Sequence, residues 1–182
     1  FRVRFDPDLP DGERAREDHG LPPRVSSVRA ADDPRGLAEQ EGRRYARWVS
    51  LDMTISTAAG QRVVAQGELV ARRVENDRAH FRFVTRVPVK LHMGIVSGSY
   101  ETVEQTYHGV AGPIRVVIHH MPGHGRNVDA LMASLKRSLD TLEQTFGPYP
   151  YDRLKLVEVA MGKPTFRLRS DTILADTSLG FV

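Results

Sequence analysis

An α+β fold is what this sequence predicts: an antiparallel β layer followed by a strand-helix-strand unit. Three observations carry that expectation. Between Tyr45 and Tyr107, alternating β-branched and aromatic runs are separated by turn residues. From Val128 to Phe146, apolar residues recur at three- and four-residue steps. Two short apolar runs, Ile114 to His120 and Leu154 to Val159, bracket that helical stretch. The strand spacing of the first region suggests an antiparallel sandwich, and the bracketed helix suggests a layer of another type.

The elements follow in order. From Asp6 to about Arg44 the sequence is charged and rich in Pro and Gly, with Gly20-Leu21-Pro22-Pro23-Arg24 its one rigid element, so residues 1–44 are expected to be an extended connection. Trp48 to Thr57 alternates as a strand, Ala59-Gly60 turns it, and Arg62 to Gln66 returns. Glu68 to Val74 and His80 to Val87, joined at Asn76-Asp77, give the clearest hairpin. Further strands are expected around Met93 to Gly98 and Tyr100 to Tyr107, with a junction near Gly109 to Pro113. The antiparallel β domain is therefore assigned to residues 45–112 and the second layer to 113–182.

The helix has both ends marked. Asn127 is suited to an N-cap, because its side-chain oxygen can accept from the free N–H groups of the first turn, and Asp129 suits the positive end of the dipole. Val128, Leu131, Met132, Leu135, Leu139, Leu142 and Phe146 form one stripe, expected to be buried. Lys136, Arg137, Asp140, Glu143 and Gln144 form the expected solvated side. Gly147 can take a left-handed stop, and Pro148 cannot continue the helix.

Composition removes several classes of chemistry. With 182 residues and 40% hydrophobic content, the chain can fill a core without covalent staples. It contains no cysteine, which excludes a thiolate nucleophile, a Cys-ligated zinc and a redox role while leaving the compartment open. The net charge of +3 is spread through mixed sequence, without aromatics interleaved among the arginines, so nucleic acid is not an expected partner. No stretch is long enough to span a bilayer, and Phe1 does not open a signal peptide. Beginning Phe1-Arg2-Val3-Arg4-Phe5, the chain reads as a segment of something longer.

Four groups of residues invite a chemical reading. His119, His120 and His124 carry metal-ligating side chains, but Pro122 and Gly123 break the helical spacing that would align two imidazoles; strand-end and turn histidines are expected. Ser97-Gly98-Ser99 lacks a nucleophile elbow and reads as a hairpin or bulge. Gly123-His124-Gly125 precedes a helix start but is shorter than a phosphate loop. Trp48, Phe81, Phe83 and Tyr100 sit at strand spacing and are expected in the core.

Taken in order, these pieces resemble a known family. They are Asp8-Leu9-Pro10 through Arg24, Trp48 with Thr54 to Thr57, Ser97 to Glu101, Pro122-Gly123-His124 with Asn127-Val128, the turn Phe146 to Tyr151, and Thr172-Ile173 with Gly180-Phe181-Val182. Their order is similar to that of the aminopeptidase N-like (M1) zinc metallopeptidases, especially the branch fused to bacterial ABC-2-type transporter permeases. The resemblance implies a saddle-like β domain, followed by an incomplete start of a thermolysin-like catalytic domain over residues 113–182. It implies zinc and aminopeptidase activity in a complete parent. This chain has no His-Glu-x-x-His helix, so no catalytic residue and no metal ligand are assigned to it.

The family also implies one substrate contact. A glutamate on its last edge strand grips the substrate's free amino group, and counting back from Gly180-Phe181 puts that position on Thr177, with Asp176 beside it. Threonine cannot supply the charge, and Asp176 would need a one-residue slip that turns its side chain to the opposite face. Asp176 and Thr177 are thus the assigned edge of the parent's cleft. Expected partners are the remainder of the catalytic domain, a membrane permease part or a second copy, on the extracytoplasmic side of a bacterial membrane. The alternative is an interaction or ligand-binding β domain of a transport complex with no peptidase activity.

Overall fold

Alternation of apolar and polar residues becomes strand wherever a neighbouring strand can take the backbone hydrogen bonds. In the computed structural model, which describes Gly20 and residues 48–181, this yields twelve strands, one α-helix and one 3-10 turn. The expected connection over 1–44 lies outside the described residues, Gly20 apart. The described elements belong to one compact unit, Gly42–Val182.

The antiparallel region is divided among several small sheets. Strands β2 (Asp52–Ala58), β5 (Arg78–Val84) and β4 (Glu68–Glu75) form a three-stranded sheet in the order β2-β5-β4. The β4–β5 hairpin turns at Asn76 and Asp77, with φ of 49° and 57°, the two left-handed residues that match the twist of the flanking strands. Strand β1 (Trp48–Val49) pairs with β6 (Val89–Lys90). Strand β3 (Arg62–Val64) does not return along β2 as its sequence suggests; it pairs with β7 (Val96–Gly98), Arg62 opposite Gly98. The β2 edge is taken instead by β5, whose seven residues match the length of β2. Val63, Ala65, Ala79, Phe81 and Phe83 form the core of this region, with Met53 and Ile55 against it. Trp48 is not core: it is 58% exposed, and the Lys90 ammonium lies 4.3 Å from its ring centroid.

The second layer is a mixed five-stranded sheet in the order β11-β12-β10-β9-β8. Strand β8 (Glu101–Gly109) forms an antiparallel hairpin with β9 (Gly112–His120), turning inside the stretch where the sequence suggests a junction. From β9 the chain passes through α1 (Val128–Phe146) to β10 (Arg153–Val159), which lies parallel to β9. Strands β11 (Phe166–Arg169) and β12 (Thr172–Asp176) complete the sheet, β12 parallel to β10, and a 3-10 turn (Thr177–Leu179) follows. One face carries Ile114, Val116, Ile118, Leu154 and Leu156 against α1. The other packs Val157 and Leu174 on Val64 and Tyr100, joining the mixed sheet to the antiparallel region.

The helix departs from its sequence reading in three ways. Asn127 makes no side-chain cap bond. Leu142 and Phe146 are 47% and 81% exposed, because α1 turns Met132 and Leu139 onto the sheet and these two positions away from it; the buried positions are Val128, Met132, Leu139 and Glu143. Glu143 belongs to the buried side, not the solvated one. Its carboxylate accepts from the Tyr149 and Val110 N–H groups at 2.9 and 3.0 Å and from the Tyr107 hydroxyl at 3.2 Å. The Tyr149 N–H, first among these donors, holds the Glu143 carboxyl below its ordinary range. Gly147 ends the helix at φ 89°, which a side chain would strain, and its N–H donates to the Glu143 carbonyl.

Candidate functional site

The parallel strands β9, β10 and β12 end along one edge of the mixed sheet, and the residues the sequence offers for chemistry gather there. His120 closes β9, Glu158 precedes the end of β10, Asp176 closes β12, and His124 lies in the loop from β9 to α1. In open sheets this carboxyl edge is where ligands are usually held.

Glu158 organises the edge and was not visible as a site residue from spacing, because 34 positions separate it from His124. It is fully buried. One carboxylate oxygen lies 2.6 Å from His124 Nδ1, and the other accepts from the Met121 N–H at 2.7 Å. Its backbone carbonyl accepts the Tyr100 hydroxyl at 2.9 Å. A signal was available: a carboxylate between Val157 and Val159 must be paired if its strand is central. The geometry fixes the imidazole as a carboxylate–histidine pair does. Among the described residues, no hydroxyl or thiol nucleophile is hydrogen-bonded to His124.

His119 and His120 do not converge on it. Consecutive strand residues face opposite sides. His120 Nδ1 lies 3.0 Å from the Met121 carbonyl oxygen and 3.7 Å from the Glu101 carboxylate. His119, on the other face, lies 3.1 Å from the Thr102 hydroxyl. Burial, with the Lys155 and Arg62 cations nearby, pushes His119 down to about 4, so it is neutral at neutral pH. Among the described residues, no three His, Asp or Glu side chains are grouped to hold a metal ion.

Asp176 is buried and committed to its own loop. One oxygen accepts from the Ser178 hydroxyl at 2.6 Å and the Ser178 N–H at 3.1 Å; the other accepts from the Met161 N–H at 2.7 Å. The Ser178 hydroxyl and N–H, in that order, hold its carboxyl below the ordinary range. Thr177 is half-buried and opens the 3-10 turn. To grip a substrate amine, Asp176 would have to give up part of this bonding.

On the face away from α1, a buried ion pair locks the two regions together. Lys155 Nζ lies 3.1 Å from Asp171 and donates to the Ala65 and Gly67 carbonyls, while Asp171 accepts from the Gly67 N–H at 3.0 Å. Gly67 has φ +86°, and a Cβ there would meet the Val84 carbonyl oxygen at 2.7 Å. Beside the pair is a cavity of about 260 Å3 whose polar lining includes Arg62, Arg115, His119 and Glu104.

Solved M1 zinc metallopeptidases and aminopeptidases share this fold. An M1 zinc metallopeptidase from Deinococcus radiodurans superposes with a TM-score of 0.64 at 16% identity, over 72% of this chain and 31% of its own. A mutant two-domain M1 zinc metallopeptidase bound to L-arginine gives the same values. Legionella pneumophila aminopeptidase A, in complex with aspartic acid, gives 0.62 at 16% identity, over 76% of this chain and 18% of its own. The chain thus has an M1-like fold and spans about a third or less of these proteins. No protein-family model matches it, and no curated protein does.

Proposed function

We propose that this chain is a noncatalytic portion of an M1-like metallopeptidase polypeptide, a saddle-like β region that frames a peptide cleft, joined to the opening of a catalytic domain. The carrying observation is the superposition of 72% of this chain on an M1 zinc metallopeptidase at a TM-score of 0.64, which supports reading the β9-α1-β10 parallel unit as the opening of such a domain. Asp176 and Thr177, on the carboxyl edge of the sheet, are the cleft-edge residues in this reading. The parent's zinc does not fit the residues here. The sequence has no His-Glu-x-x-His, and the described histidines and carboxylates form no three-ligand group, so no hydrolytic step is derived for this chain.

The setting we infer is the extracytoplasmic side of a bacterial transporter permease, which rests on the sequence resemblance. No described helix is long and apolar enough to cross a membrane. Two measurements test the reading. The untagged chain should carry no stoichiometric zinc by elemental analysis and should not cleave aminoacyl arylamides; turnover that follows the protein through purification would overturn the noncatalytic assignment. The parent reading expects the flanking reading frame to encode His-Glu-x-x-His and a downstream glutamate. Flanking sequence without them would favour an interaction domain with no peptidase activity.

A further inference from the structure

The cavity of about 260 Å3 beside the Lys155–Asp171 pair has two walls. On the mixed sheet, strand alternation sends Arg115, Val117 and His119 of β9 to the face away from α1. The register sets Arg153 of β10 beside Arg115 and Lys155 beside Val117, and it sets Glu104 of β8 beside Val117 and Thr102 beside His119. The other wall comes from β3, β4 and β5, with Arg62, Leu69 and Phe83. Arg62, Arg115, Arg153 and Lys155 thus meet a single lining carboxylate, Glu104, in a cavity whose walls also carry Val117, Leu69 and Phe83.

Three of these cations are committed elsewhere. Lys155 Nζ directs its donors to Asp171 and to the Ala65 and Gly67 carbonyls. Arg153 holds Asp152 through two bonds of 2.9 and 2.8 Å. Arg115 lies 3.9 Å from both Glu104 and Glu68. Arg62, alone of the four, has neither a hydrogen bond nor an ion pair with a described residue. Its charge reaches His119, where it adds to burial and to Lys155 in keeping the imidazole neutral. The Arg62 end of the cavity is therefore the end that holds His119 and the Thr102 hydroxyl, 3.1 Å apart and both uncharged. One positive charge faces the cavity unmatched by a protein carboxylate, next to apolar walls.

We propose that this cavity binds a small monocarboxylate with a short apolar body, its carboxylate on the Arg62 guanidinium and its body over Val117, Leu69 and Phe83. The guanidinium fork matches the two oxygens of a carboxylate. A single unmatched charge selects a monoanion, because the second charge of a phosphate would face Glu104 and leave the apolar walls without a partner. The volume lies below the roughly 300–1,000 Å3 of sites for drug-sized ligands, so the body is only a few carbons long. Neither Asp176 nor Thr177 lines this cavity, and the inference stands apart from the peptidase reading.

The test is calorimetric titration of the chain with isovalerate, with the neutral isovaleramide and with inorganic phosphate. Isovalerate should bind one to one, and the amide and phosphate should each bind about tenfold more weakly or not at all. Arg62→Met should weaken isovalerate binding by about tenfold or more, and Arg62→Lys should restore part of it. Arg115→Met, which removes a charge already faced by Glu104 and Glu68, should change the affinity by less than about threefold. Leu69→Glu sets a carboxylate in the wall and should abolish binding. Arg62 and Leu69 are exposed, so these variants should fold, and melting curves check that they do. No saturable isovalerate binding, equal affinity for the amide, or an unchanged affinity in Arg62→Met would overturn the proposal. So would phosphate binding as tightly as isovalerate, which would make this a site for inorganic anions.

Discussion

Replacing Asp171 by Asn removes one charge and little volume, and isolates what the Lys155–Asp171 pair does for the fold. Both side chains are buried, at 6% and 2% residue exposure, and the amide oxygen of Asn can still accept from the Gly67 N–H. What remains is an ammonium held by two carbonyls with no carboxylate in contact. Breaking a buried pair from one side costs about 3–5 kcal/mol. Burial already lowers the Lys155 ammonium, ahead of the opposing pull of Asp171, so in Asp171→Asn its folded pKa should fall further below the unfolded value. A group depressed in the folded state takes up protons preferentially when unfolded. The stability of Asp171→Asn should therefore rise with pH between the lowered folded value and the ordinary lysine range. Lys155→Met leaves the carboxylate unpaired and should be similarly destabilising, whereas the double variant should lose much less than the two single losses added together. Urea unfolding of the four proteins gives the coupling from the midpoints, provided the slopes agree. Losses that add to within about 0.5 kcal/mol would show that the pair is not coupled and would remove its role in joining the two regions.

His119 gives a second pH-dependent expectation. Its value of about 4 lies below the ordinary 6.5, so as pH falls through that window the unfolded chain takes up a proton that the folded chain refuses. The site should cost about 3 kcal/mol of stability by the acid end of the window, and His119→Gln should flatten that part of the profile; an unchanged profile would count against the burial of a neutral imidazole. For the helix, Leu139→Ala should destabilise by about 2–5 kcal/mol, and Leu142→Ala and Lys136→Ala by roughly 0.5–1 kcal/mol or less. Equal denaturant midpoints for Leu139→Ala and Leu142→Ala would contradict the observed orientation of α1.

Local signals were legible in the sequence and partnerships over distance were not. The β4–β5 hairpin was readable because Asn76 and Asp77 adopt the left-handed turn within four residues of chain. The stop of α1 was readable because Gly147 and Pro148 act through their own backbone. The pairing of β3 was not, since its partner β7 lies beyond β4, β5 and β6, and alternation in β3 fits either neighbour equally well. Helical spacing gave the α1 stripe but not its used width: the sheet beneath selects Met132 and Leu139 and leaves Leu142 and Phe146 outward. Glu143 looked like a surface carboxylate because its donors come from Val110, Tyr107 and Tyr149, on three other stretches of chain.

The polar residues inside β10 explain most of what the sequence hid. Lys155 and Glu158 interrupt an apolar run whose other members face two different cores, and each needs a partner from elsewhere to be buried. Lys155 finds Asp171 and the carbonyls of residues 65 and 67, which ties the antiparallel region to the sheet. Glu158 finds His124 and the Met121 N–H, which ties the loop before α1 to the carboxyl edge. The two groups sit three residues apart on one central strand, so they project to opposite faces. One strand thereby fixes the junction on one side and shapes the candidate cleft edge on the other. A change at Lys155 should therefore be felt first in stability, and a change at Glu158 first in the conformation of the loop that carries His124.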